Sequence, residues 1–167
     1  MRHIFIVLAL LSLTACKEDK AADLPRPREV TDASVAQFCG MALREHAGPK
    51  AQIFVRGVAD PYWFSTVRDA FAFAMLPEMP KSISAIYVND MARAKDWDQP
   101  EPGMWVEAHQ ASYVIGSRRL GGMGADETIP FGDEAAANRF AQANGGRVVR
   151  FADVPSDYIL PATQGRP

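Results

Sequence analysis

The sequence predicts an α+β fold built from two ββαβ units that pack against each other. A weak internal repeat supports this fold, with one copy at 63–90 and the other at 130–153. In each copy a phenylalanine followed by a small residue leads into a helical segment, and a β-branched strand ending in aspartate comes after it. Units of about 55 to 60 residues bury too little surface to be stable alone, so we expect them to pack together.

Capping residues and a helical spacing of apolar residues predict one helix in each unit. Ser65 or Thr66 can cap the first helix, and Asp69 stands in a capping-box position three residues after Thr66. Asp133 can cap the second helix, and the pair Gly145-Gly146 can end it. Strands are predicted at 52–55 and 62–64 before the first helix. The alternating stretch 104–115 predicts a long strand before the second helix, interrupted by a bend or register change. His109 is expected to lie in the core or on the face of this sheet.

The N-terminus is typical of an exported lipoprotein. Residues 1–15 begin with a basic start and continue as an apolar run too short to span a membrane, which predicts a signal peptide. The run ends in Leu13-Thr14-Ala15-Cys16, which is similar to the lipobox that precedes the lipidated cysteine of bacterial lipoproteins. We therefore predict lipidation at Cys16 and anchoring to a membrane. An ordinary secretory signal that contains a cysteine is the alternative.

The mature chain is predicted to have four parts. Residues 16–37 are polar and predict a lipidated N-terminus with a flexible tether, 38–98 the first unit, 99–155 the second, and 156–167 a flexible tail. The formal net charge of the full sequence is −2, and the absence of a basic excess argues against a nucleic-acid partner.

Cys39 is the first candidate metal ligand. If the lipid occupies Cys16, Cys39 has no internal disulfide partner in an oxidising compartment, which favours a reactive or metal-binding role over a small buried hydrophobic one. Met41 follows two residues later, and both sulfur atoms can face one ion if the chain turns at Gly40. Soft sulfur ligands select Cu(I). Core packing is the alternative explanation of this pair.

Two further residues are candidates for the same ion. Met123 lies between Gly122 and Gly124 without periodic apolar neighbours, which predicts a ligand in a loop that reaches across the seam between the units. His46 lies near a turn and can lend an imidazole, although a solvated loop histidine is the favoured interpretation. Met75, Met79, Met91 and Met104 are expected to pack. The sequence lacks a nucleophile–base pattern and the common metal-hydrolase and phosphate-loop motifs, so we predict that the protein is not an enzyme.

The chain resembles the nitrous oxide reductase accessory lipoproteins, the NosL family. The resemblance implies a Cu(I) chaperone that supplies copper to nitrous oxide reductase at the periplasmic face of a membrane, with an ABC-type inner-membrane maturation complex as partner. It implies a fold related to the organomercurial-lyase core and a ligand set of Cys39, Met41 and Met123. Some relatives carry a second cysteine where this chain has Ala36, so one mononuclear site is expected. The matching segments are Leu13-Thr14-Ala15-Cys16, Cys39-Gly40-Met41, Gly48-Pro49-Lys50-Ala51-Gln52-Ile53, Phe64-Ser65, Asp69, Phe71, Pro77-Glu78, Ala85-Ile86-Tyr87-Val88-Asn89-Asp90, Tyr113-Val114-Ile115-Gly116-Ser117, Met123-Gly124, Pro130-Phe131, Phe140-Ala141, Gly145-Gly146 and Phe151-Ala152-Asp153-Val154.

Three other functions stay open at this point. A copper-sequestering or copper-sensing lipoprotein would have the same site without a delivery role. An enzyme of the organomercurial-lyase type would need a second free cysteine. A structural lipoprotein would bury Cys39. Lys17 after the lipid cysteine favours the outer membrane over the inner membrane.

Overall fold

The structure is a computed structural model that describes residues 24–122 and 124–160. The predicted signal peptide, the proposed lipidation site Cys16 and the candidate ligand Met123 lie outside the described residues. Within the described ranges, every helix is too short or too polar to cross a membrane.

The described residues form two antiparallel sheets and few helices, which confirms the predicted α+β class. The elements are β1 (Ala51–Val55), β2 (Tyr62–Phe64), α1 (Val67–Met75), β3 (Ile83–Asn89), β4 (Trp105–Glu107), β5 (Ser112–Ile115), β6 (Ile129–Phe131), α2 (Glu134–Asn144), β7 (Arg147–Arg150) and α3 (Ser156–Ile159). The first sheet has the strand order β2-β1-β3-β4, and the second has the order β6-β5-β7. Each unit therefore follows the order ββαβ, with its first strand in the middle of its sheet.

The predicted long strand at 104–115 is divided between the two sheets. A 3-10 helix at Ala108–Gln110 separates β4 from β5. Strand β4 pairs with β3 and so belongs to the first sheet, although it follows the predicted boundary between the units at 98 and 99. The expectation that His109 lies in the core or on the sheet face is wrong, because its side chain is 62% exposed and pairs with Glu107.

The two helices begin at the predicted caps. Thr66, rather than Ser65, caps α1, and its hydroxyl accepts the backbone N–H of Asp69 at 3.0 Å. Asp133 caps α2 by accepting the N–H of Ala135 at 3.0 Å. These bonds satisfy amide groups that a helix leaves unpaired at its start.

The two units share one main core. Phe71 of α1 packs edge-on against Tyr113 of β5, with ring centroids 5.2 Å apart. Val149 of β7 and Ile159 of α3 belong to the same buried cluster. A second contact joins the sheets where Gly132, after β6, donates its N–H to Asp90, after β3, at 2.7 Å. The expectation that the units pack against each other is therefore confirmed.

Two segments expected to be flexible are packed in part. In 24–37, Arg28 exchanges two backbone hydrogen bonds with the buried amide of Gln52, and the carbonyl of Pro25 accepts from the hydroxyl of Tyr87. These contacts hold this part of the predicted tether on the first sheet through Pro25 and Arg28. In the predicted tail, α3 packs against α1 and buries Ile159.

Candidate functional site

Cys39 lies in a tight turn at the edge of the first unit. The N–H of Ala36 donates to the carbonyl of Met41, and the N–H of Gly40 donates to the carbonyl of Ala36, both at 2.9 Å. Gly40 has φ = +71°, a conformation that favours glycine. The chain therefore turns at Gly40, as a site shared by Cys39 and Met41 requires. Both side chains are accessible, with Cys39 exposed and Met41 44% exposed.

Phe38 fixes this turn to the first unit. Its ring packs edge-on against Phe64 of β2, with centroids 5.8 Å apart, and lies 6.4 Å from the ring of Phe73 in α1. Phe64 and Phe73 are fully buried. The turn thus rests on the core through one aromatic side chain while the next residue, Cys39, faces solvent.

The imidazole of His46 contacts the thiol of Cys39. The Nε2 atom of His46 lies 3.5 Å from the Sγ atom of Cys39. The side chain is not a solvated loop histidine, because the residue is only 3% exposed, and that interpretation is wrong. A 3-10 helix at Leu43–Glu45 carries the chain from the turn back to His46. Thiolate and imidazole are both copper ligands, so the pair can bind a soft metal ion.

The glycine-rich loop of the second unit, described at residues 116–122 and 124–127, contacts the segment of His46 through Gly122. A Cβ atom at Gly122 would lie 2.5 Å from the carbonyl oxygen of Ala47 and 2.9 Å from the Cβ atom of His46. Only glycine allows so close a contact between the loop and this segment. The candidate site therefore lies at the seam between the units, and the residue after Gly122 in the sequence is Met123.

Two buried ionisable residues lie near the site and are not predicted from the sequence. Glu127 is 1% exposed, and burial raises its pKa to about 8. Lys50 is buried and donates to the carbonyl of Gly48, and burial lowers its pKa to about 8. Lys50 lies in one of the segments that resemble the NosL family, but that match does not predict its burial, and Glu127 lies in none of the matching segments. Burial of each depends on contacts between distant segments.

The remaining candidates that the structure describes do not form another metal site. Among the described residues, no group of three or more His, Cys, Asp and Glu side chains is placed to hold a metal ion. Met75 and Met79 pack against the main core, and Met91 packs against the smaller core of the second unit, as expected. The contact between Cys39 and His46, beside Met41, is the arrangement that best fits a soft metal.

Comparison with known proteins gives one family. The family model described as NosL matches residues 27–159. The chain is 46% identical over 161 residues to the copper-binding lipoprotein NosL of Achromobacter cycloclastes, covering 96% of this chain and 83% of that protein. It is 31% identical over 158 residues to the copper-binding lipoprotein NosL of Stutzerimonas stutzeri, covering 93% and 80%.

Two solved structures are similar to the fold. The crystal structure of the copper chaperone NosL from Shewanella denitrificans has a TM-score of 0.73 and 27% identity, covering 78% of this chain and 96% of that one. The solution NMR structure of apo-NosL from Achromobacter cycloclastes has a TM-score of 0.51 and 47% identity, covering 70% and 94%. These names describe copper-binding lipoproteins and a chaperone, in agreement with the expectation that the protein is not an enzyme.

Proposed function

The chain belongs to the NosL family, and from this premise we propose that it is a Cu(I)-binding metallochaperone lipoprotein. Relatives that share almost the whole chain are named for copper binding, and one structural neighbour is named a copper chaperone. The observation that carries the proposal is the 3.5 Å contact between exposed Cys39 and buried His46.

The proposed ligands are Cys39, Met41 and Met123, with His46 as an additional ligand. Deprotonated Cys39 supplies the strongest soft donor, and Met41 stands two residues away across the turn at Gly40. The loop that packs on His46 continues into Met123 in the sequence. The chemistry of this donor set fits Cu(I) as cargo, because thiolate and thioether sulfur prefer a soft monovalent ion to a hard divalent one.

Exposure of Cys39 and Met41 suits delivery of the ion. A chaperone must release its metal by exchanging ligands with a partner, and an exposed thiolate can be reached by the partner's ligands. We propose that the destination is nitrous oxide reductase, through an ABC-type inner-membrane maturation complex. We further propose that the protein is held at the periplasmic face of the membrane by lipid at Cys16.

Copper binding is tested with full-length protein purified in detergent and kept reduced without oxygen. Cu(I) is titrated in competition with a chromogenic Cu(I) chelator. We expect one site in the wild type, its loss in Cys39→Ser, and weaker binding in Met41→Leu and Met123→Leu. Met75→Leu is the matched control, since that methionine packs against the core and should leave the affinity unchanged. Wild-type affinity in Cys39→Ser would refute the proposed site.

Delivery needs a separate experiment. Copper-loaded protein is mixed with copper-free nitrous oxide reductase, with and without membranes that carry the ABC-type complex, and the copper content of the reductase is measured. We expect transfer that depends on the membranes. Tight binding without transfer under either condition would favour a copper-sequestering or copper-sensing role instead.

A further inference from the structure

We infer that Glu127 is a positioning residue for the proposed copper site: it holds the glycine-rich loop on α1, and the loop in turn holds His46 beside Cys39. This inference rests on the proposed function.

Glu127 joins the two units through its carboxyl group. Its Oε1 atom accepts the backbone N–H of Arg68, in the first turn of α1, at 3.0 Å and that of Thr128 at 2.8 Å. The start of α1 is thus capped twice, by Thr66 from its own unit and by Glu127 from the second unit. A helix start leaves four N–H groups without intrahelical partners, and Thr66 satisfies only that of Asp69. Because the acceptor for the N–H of Arg68 comes from the second unit, this bond fastens the end of the loop to α1.

The second carboxyl oxygen faces the loop. Oε2 of Glu127 is buried and has no hydrogen-bond partner among the described residues. A Cβ atom at Gly121 would lie 2.7 Å from this oxygen, so the loop rests directly on the carboxyl group. An unpartnered oxygen in this position costs free energy, and the fold keeps it where it supports the loop.

The loop is also closed at its base, where its two ends, Gly116 and Glu127, come together. The hydroxyl of Tyr158 accepts the N–H of Gly116 at 3.2 Å and donates to the carbonyl of Glu127 at 2.9 Å. Because its base is closed and Gly121 contacts Glu127, the loop places Gly122 against His46 and Ala47. A continuous series of contacts therefore runs from α1 through Glu127 and the loop to His46, whose imidazole lies 3.5 Å from the thiol of Cys39.

The main test compares two substitutions of Glu127 in the full-length reduced protein, by Cu(I) competition with a chromogenic chelator. Glu127→Ala removes the support of the loop, and we expect Cu(I) affinity to fall about tenfold to a hundredfold, as for other residues that orient a ligand. Glu127→Gln keeps the shape and the Oε1 acceptor, and we expect it to retain affinity within about twofold. Asp133→Ala is the matched control, since it removes the cap of α2 without touching the loop.

A second measurement reports on the loop itself. The guanidinium of Arg119 in the loop lies 4.4 Å from the ring centroid of Trp97, so displacement of the loop should change Trp97 fluorescence. We expect this change in Glu127→Ala and not in Asp133→Ala. If Glu127→Ala does not fold, Gly122→Ala replaces it, because its Cβ atom pushes the loop away from His46 while the cap at Glu127 stays in place.

The outcomes separate this inference from the proposed function. The positioning role would be overturned if folded Glu127→Ala or Gly122→Ala kept wild-type affinity for Cu(I). It would also be overturned if Glu127→Ala and Glu127→Gln lost affinity equally. Either result would leave the proposed copper site intact. A loss as large in Asp133→Ala would also overturn the positioning role, since general destabilisation would then explain the effect. Absence of Cu(I) binding by the wild-type chain would overturn the proposed function and this inference together.

Discussion

Replacing Gly132 by alanine is expected to weaken a contact that joins the two sheets. The N–H of Gly132 donates to Oδ1 of Asp90 at 2.7 Å, and the same oxygen accepts the N–H of Ala92 at 3.0 Å. A Cβ atom at position 132 would lie 2.5 Å from Oδ2 and 2.9 Å from Cγ of Asp90. The backbone of Gly132 is not in the left-handed region, so the clash is the sole strain that alanine introduces.

The size of the effect follows from these contacts. Relieving the clash requires the two segments to separate by about 1 Å, which weakens the hydrogen bond to a charged and buried acceptor. Loss of such a bond costs about 1.5 to 3 kcal/mol, and overpacking a buried contact costs about 1 to 3 kcal/mol. Because separating the segments relieves the clash only by weakening the hydrogen bond, the variant bears one cost or the other, and we expect the free energy of unfolding to fall by about 1 to 3 kcal/mol.

Urea unfolding of four proteins tests this reasoning: wild type, Gly132→Ala, Asp90→Ala and the double variant. Asp90→Ala removes the oxygen that alanine at 132 would meet, so in that background Gly132→Ala should cost less than about 1 kcal/mol. Equal costs of Gly132→Ala in both backgrounds would refute the clash as the cause. An unchanged unfolding midpoint in Gly132→Ala alone would show that the contact with Asp90 is not tight.

Two predictions concern the pH dependence of stability, measured as the free energy of unfolding in urea. Burial raises the pKa of Glu127 from its ordinary 4.5 to about 8, so the folded protein keeps a proton that the unfolded chain loses. The free energy of unfolding should therefore fall as the pH rises from 4.5 to about 8, and Glu127→Gln should remove most of that fall. Burial lowers the pKa of Lys50 from 10.5 to about 8, so the unfolded chain holds the extra proton between these values. Stability should therefore rise from pH 8 to about 10.5 through this group, Lys50→Met should flatten the rise, and an identical profile in the variant would exclude Lys50 as its source.

The sequence predicts those parts of the fold that depend on local signals. Thr66 and Asp133 begin helices because their side chains satisfy amides a few residues away, and this pattern is visible in the sequence. The place of β4 is different. In the sequence its three residues read as the start of the alternating stretch that continues into β5. Their antiparallel pairing with Tyr87, Val88 and Asn89 of β3 places β4 in the first sheet. Such a choice between sheets depends on contacts between distant segments.

The same distinction between local signals and distant contacts applies to the residues of the candidate site. Cys39 and Met41 are predicted from ligand chemistry, and the turn at Gly40 that they require is present. His46 resembles a solvated histidine in the sequence because its neighbours form a turn. It is buried because Gly122, from the other unit, packs on its Cβ atom. Glu127 has no local signal at all, since its role comes from the backbone of Arg68 in α1.

The hydroxyl of Tyr158 has a practical consequence for where the protein can be shortened. Removing the chain after Val154 would leave every candidate ligand in place, and yet both hydrogen bonds at the base of the glycine-rich loop would go with the deleted residues. Ile159, a buried member of the main core, would be lost as well. A fragment intended to keep the site whole should therefore extend at least to Leu160, and an affinity tag at this end belongs beyond that residue.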